Sequence, residues 1–244
     1  MKLLISVFLS LLIFIPMSHG REIIGSSIYE MKSQRKKLLF TSQFERRVSE
    51  GKEIETVKFF DPSGELAVEE EVRFSNGQVE SFVEKSFQTK AEGLIKVVMN
   101  RVLFEWSVEG KVKKDDEALK GNFVTGLSLV RFVHKNWEPL KAGKEIDIRF
   151  AVPHRLETVG FSLKRQTQKE KKGSLLIKMK PSSFIISALV DPVYFTFDES
   201  SKELRSYVGR VKPKKKVNNS WKDLDAEVVY RFREDVDLSA QKEP

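Results

Sequence analysis

The sequence predicts a mainly β protein: a single curved antiparallel sheet, a half-barrel of roughly eleven strands, with one or two short helices packed on its concave face. Three observations carry this. Apolar and polar residues alternate with period two through most of the chain, as in Leu66, Val68, Val72 and Phe74 against Glu65, Glu69, Glu71 and Arg73. Turn chemistry separates such runs. Asp61-Pro62-Ser63-Gly64 precedes this one, and Asn76-Gly77, a dipeptide that accepts the positive φ angles of a tight hairpin, follows it. Helical spacing of apolar residues occurs at only two places. A many-stranded antiparallel sheet curls, and a helix lying in the hollow removes apolar surface from water.

In chain order, residues 1–20 read first as a cleavable secretory signal peptide. Lys2 supplies the positive start, Leu3 to Ile15 the apolar stretch, and Ser18-His19-Gly20 after Pro16 the small-residue cleavage pattern. The run is shorter than the about 20 apolar residues of a membrane-spanning helix, and no later run is longer. The mature chain is therefore expected to start near Arg21, without a transmembrane segment, as an exported, periplasmic or secreted, soluble protein. The chain has no cysteine, which excludes disulfides, thiolate metal sites, cysteine nucleophiles and a lipid-attachment cysteine. Its length is enough to bury a core without such staples.

Strand patterns then follow at 39–48, 54–60, 66–74, 79–87, 94–108, 146–152, 158–164, 175–179, 194–197, 204–211 and 226–232. Between 122 and 137 the spacing of Phe123, Leu127, Val130 and Trp137 predicts a helix, with Asn122 as N-cap and Pro139 beyond its end. A shorter helix is predicted over 184–190, after Pro181 and before Asp191-Pro192. With no linker to divide it, the chain reads as one domain over 21–232 and a polar tail over 233–244.

The net charge is +8, and Lys2 leaves with the signal. Basic runs at 35–37, 169–172 and 212–216 are interleaved with acids and not with aromatics, so no nucleic-acid partner is expected. They read as solvated loops and strand edges, with attraction to anionic lipid head groups as the second reading. After cleavage two histidines remain, His134 in the predicted helix and His154 at a strand end without an identifiable partner. Neither sits in a metal spacing, and no serine occupies a nucleophile elbow. Glu69-Glu70-Glu71 and Asp115-Asp116 are consecutive in strands, so neighbours point to opposite faces, and they read as solvated charge. The expectation is a non-enzymatic protein with no catalytic residue, metal or cofactor.

Aromatic residues around the predicted helices admit two readings: an ordinary core, or the lining of an apolar cavity for an acyl chain. Phe132 to Trp137, Val152-Pro153-His154-Arg155, Thr158 to Phe161 and Val190 to Asp198 together resemble a group of uncharacterised exported bacterial proteins. In strand-helix-strand order the chain remotely resembles periplasmic half-barrel carriers of the LolA/LolB-like type. That resemblance implies a bound lipid or other amphiphile. The candidate ligand-binding residues are Trp106, Phe123, Leu127, Trp137, Arg155 and Phe195. Arg155 is read either as a partner for a ligand carboxylate or phosphate or as a structural ion pair or helix-end cap. The alternative function is a structural or protein-interaction module of the cell envelope.

Overall fold

A computed structural model describes residues 21–183 and 191–233. The expected signal peptide, the helix over 184–190 and the tail after Arg233 lie outside the described residues. Fifteen strands are present: β1 (Ile23–Glu30), β2 (Leu38–Ser49), β3 (Lys52–Phe60), β4 (Leu66–Ser75), β5 (Gln78–Ser86), β6 (Ala91–Val98), β7 (Arg101–Val108), β8 (Lys111–Ala118), β9 (Phe123–Val124), β10 (Ile146–Val152), β11 (Glu157–Arg165), β12 (Ser174–Pro181), β13 (Val193–Asp198), β14 (Leu204–Val217) and β15 (Ser220–Phe232). Two helices are described, α1 (Leu129–Lys135) and α2 (Trp137–Lys141). All strands join one sheet in the order β8-β7-β6-β5-β4-β3-β2-β1-β15-β14-β13-β12-β11-β10-β9. It is a meander in which the first and last long strands, β1 and β15, pair in the middle. Every pairing is antiparallel except β9 with β10.

The expected mainly β curved sheet is thus present, with more strands than the eleven patterns. One pattern, 94–108, is two strands: Met99 and Asn100 both take positive φ and turn β6 into β7. Asn76 and Gly77, with φ of 51° and 73°, make the expected hairpin between β4 and β5. β8 shows no apolar stripe, and β9 has only two residues.

The sheet curls until its edges approach. The Glu117 carboxylate at the end of β8 accepts from the Thr158 amide of β11 at 3.1 Å and also from its hydroxyl. The main-chain ladder stays open between β8 and β9. Most inward positions are apolar, with Val68, Val72, Phe74, Phe82, Ile95 and Phe104 all buried. Outward positions carry ion pairs across strands. Arg47 and Arg73 flank Glu71, Lys58 faces Glu69, and Lys114 faces Glu105. Transmembrane barrels have the opposite polarity, apolar outside. No helix among the described residues is long and apolar enough to cross a membrane.

The helix predicted over 122–137 is displaced. Phe123 and Val124 pair with Arg149 and Phe150 as β9, and the Asn122 side chain donates to the Asp147 carbonyl instead of capping a helix. Helix α1 begins after Ser128, and Pro139 lies inside α2. In that first turn a missing N–H costs no hydrogen bond. Helices of seven and five residues do not persist alone. These are held by burial of Leu129, Val133, Trp137 and Leu140 against the inner faces of β10 to β13, where Trp137 meets Phe197 edge-on at 5.7 Å. From the other side, Arg131 donates to Glu55 and Glu53 of β3 and stacks over Phe74 at 4.1 Å.

Candidate functional site

The most unusual chemistry lies where the β14–β15 hairpin crosses one end of the barrel. β1 pairs with Ala226–Phe232 of β15, so the part of the hairpin beyond Val211 and Leu224 overhangs its neighbour. The pairing of β14 with β15 is irregular between Val211 and Lys215, around Pro213, which has no amide hydrogen to give to a ladder. The overhang lies against β4 and β5. The Gln88 side chain pairs with the Lys214 backbone in both directions, accepting from its amide at 2.8 Å and donating to its carbonyl at 3.0 Å. Lys212 reaches inward, its Nζ 2.6 Å from Glu84 Oε2 and 3.1 Å from Glu70 Oε1.

Glu70 and Glu84 stand opposite each other on β4 and β5, in a row that continues through Gly93 of β6 to Trp106 of β7. Gly93 is required there by close approach. A Cβ would lie 2.7 Å from Pro153 of the 3-10 turn Pro153–Arg155 and 3.1 Å from the Trp106 ring. Trp106 in turn meets His154 edge-on, with centroids 5.9 Å apart.

Burial pushes the Glu70 carboxyl above the usual range. Lys212 opposes that shift, and the neighbouring Glu84 adds to it. Burial alone would lower the Lys212 ammonium, but Glu84 and Glu70 reverse the shift and hold it raised and charged. His154 is held below its ordinary value by loss of water on one side and by Lys212. The arrangement ties the overhang to the mouth: one cation is shared by two carboxylates, while the side chain of Glu70 is only 4% exposed.

The sequence-predicted site residues do not converge. Trp106 lines the mouth, and Phe123 and Leu127 pack on the cluster around Phe82, Ile95 and Phe104. Trp137 and Phe195 are buried in a different cluster, with Phe195 against Tyr207 at 5.1 Å. Arg155 is exposed and holds Glu157 at 2.6 Å, the structural pair among its two readings. Asn136 turns its amide back to the Phe132 carbonyl.

Three residues at the mouth are not among the sequence-predicted site residues. Glu70 departs from the solvated setting expected of it with Glu69 and Glu71. Those two pair outward, but Glu70 is in phase with Val68, Val72 and Phe74, and that phase was the available signal. Lys212, expected among solvated basic residues, instead points inward to Glu70 and Glu84. Glu84 shares the inward phase of Phe82. Among the described residues no group of three or more His, Asp or Glu is placed to hold a metal ion.

Neither a protein-family model nor a curated protein matches the chain. A solved structure, the beta-barrel-like protein of domain of unknown function DUF1849 from Brucella abortus, is similar to it with a TM-score of 0.45 and 11% sequence identity, over 87% of this chain and 96% of that one. Likeness to the LolA/LolB-like carriers is not shown.

Proposed function

We propose that the chain is an exported, non-enzymatic module of the cell envelope that acts through its rim and outer surface and encloses no ligand. The observation that supports this is the apolar packing of the interior. Three apolar clusters line it, and α1 and α2 fill the part facing β10 to β13. Two hollows stand out among the described residues, of about 340 and 290 Å³. One is lined by Ile24, Gln43, Phe44, Glu45, Thr56 and Lys58 and the other by Lys120, Gly121, Asn122, Asp147, Ile148 and Arg149, and both open to solvent. Acyl-chain sites bury most of the ligand's surface, which open hollows do not.

One observation favours a second reading, amphiphile binding by opening. The overhang is fastened to β4 and β5 by the side chains of Lys212 and Gln88 and by no strand ladder. Segments held by few buried contacts open at least cost. Titration of the chain from Arg21 onward with N-phenyl-1-naphthylamine, whose fluorescence rises in apolar surroundings, separates the readings. The module reading predicts no saturable binding by the wild type or by Lys212→Met. Saturable binding by Lys212→Met alone supports opening, and saturable binding by the wild type overturns the module reading.

A further inference from the structure

The tip of the same hairpin carries a second feature, spread over both of its faces. Lys215 stands directly opposite Lys222, and Lys216 opposite Trp221. Like charges directly across a strand pair repel, so this pairing works against the hairpin that bears it. Lys216 lies over the Trp221 ring at 5.7 Å, and both Trp221 and Val217 are exposed.

The loop before β2 adjoins this tip. Glu30 accepts from Lys37 at 3.0 Å and lies 3.2 Å from Lys215, bridging the two segments. That loop adds Lys32, Arg35 and Lys36, with Met31 and Leu38 exposed beside them. On the other flank, the β5–β6 turn held by Gln88 exposes Phe87. Among the described residues, Lys32, Lys36, Lys216 and Lys222 have no carboxylate partner within ion-pair distance.

We infer that this end of the barrel docks on an anionic lipid surface, with Trp221 and Val217 at the head-group level and the surrounding lysines on lipid phosphates. An exposed Trp flanked by Lys on a protruding tip suits an interface that is apolar on one side and wet on the other. A nucleic acid would call for a continuous basic groove, and here Glu30 and Asp223 interrupt the basic side chains. The inference rests on the module reading only for the surface being free to act. It adds the partner's chemistry.

The test is co-sedimentation of the chain from Arg21 onward with phosphatidylcholine vesicles containing or lacking phosphatidylglycerol. Binding is expected only to the anionic vesicles and is expected to weaken as salt shortens the screening length. Lys215→Glu/Lys216→Glu/Lys222→Glu should lose at least about ten-fold in apparent affinity. Lys144→Glu/Lys171→Glu/Lys172→Glu, an equal charge change at the opposite end of the barrel, should bind as the wild type does. Quenching by brominated lipid, which does not depend on the triple variant folding, should fall in Trp221→Phe. Equal binding to neutral vesicles, equal loss in both triple variants, or heparin binding of the same strength would each overturn the inference. Failure here would remove the lipid partner and leave the dye result on the interior standing.

Discussion

Lys212 shows how a side chain in an ostensibly surface-exposed basic run can become structural. Glu70 and Glu84 face each other with little access to water, and without the ammonium both would be left as unpaired buried charges. Lys212→Met should therefore lower unfolding stability by about 3 kcal/mol in urea titrations. This is the low end for a broken buried pair, because a third of the lysine remains solvent-exposed. Glu70→Gln should behave differently. The native state binds the Glu70 proton more tightly than the unfolded chain does. Its contribution is thus present below the unfolded carboxyl value and lost as pH rises through the raised native one. Glu70→Gln removes that loss while Glu84 still pairs with Lys212. Relative to the wild type it should gain stability as pH rises above about 4, the ordinary value of an unfolded carboxyl, read from urea midpoints across the range. A parallel pH profile for the two proteins would contradict the assignment.

At the scale of elements, hydrophobic periodicity marks strands whose buried face is largely apolar and leaves out those whose buried face is small and polar or that bury almost nothing. β8, with the sequence Lys-Val-Lys-Lys-Asp-Asp-Glu-Ala, is an edge strand whose side chains are nearly all in water, and charge on an edge discourages pairing with other chains. β1 lacks the pattern for a steric reason: a Cβ on Gly25 would lie 2.0 Å from the Ser42 carbonyl oxygen, so small residues occupy the approach of β1 to β2. In the helical region, Phe123 and Leu127 do face the interior as their spacing implied, but from a short strand and a loop. Local spacing could not show that Arg149 and Phe150 would capture Phe123 and Val124 as a parallel pair. Docking of α1 depends on a long-range contact that no local pattern contains, the Arg131 fork on Glu53 and Glu55. Arg131→Ala should cost about 2 kcal/mol of stability, the worth of hydrogen bonds between charged partners, because Arg46 still partners Glu55. Near-ultraviolet circular dichroism at Trp137 should weaken together with it. Full stability in Arg131→Ala would mean that apolar packing alone seats the helix.

For the whole molecule, fold class could be read from alternation and turns, whereas the site could not. A mainly β curved sheet follows from one-dimensional patterns, but the mouth is built from β4, β5, β7 and β14, which meet only once the sheet has curled. Of the aromatic residues singled out in sequence, Phe123 packs on one core cluster and Trp137 and Phe195 belong to another, while Trp106 lines the mouth. They account for the stability of a cysteine-free chain better than for a ligand chamber. Polarity outside and apolar packing inside suit a barrel bathed in water on its exterior, with one Lys- and Trp-bearing end left to make contacts. The proposed reading is that this barrel is exported and encloses no ligand. Intact mass measurement under native conditions, on protein recovered from the cell that makes it, tests both parts at once. The account predicts a polypeptide beginning at Arg21 with no stoichiometric adduct. A chain that retains Met1 to Gly20, or a one-to-one lipid adduct that survives desalting, would contradict it.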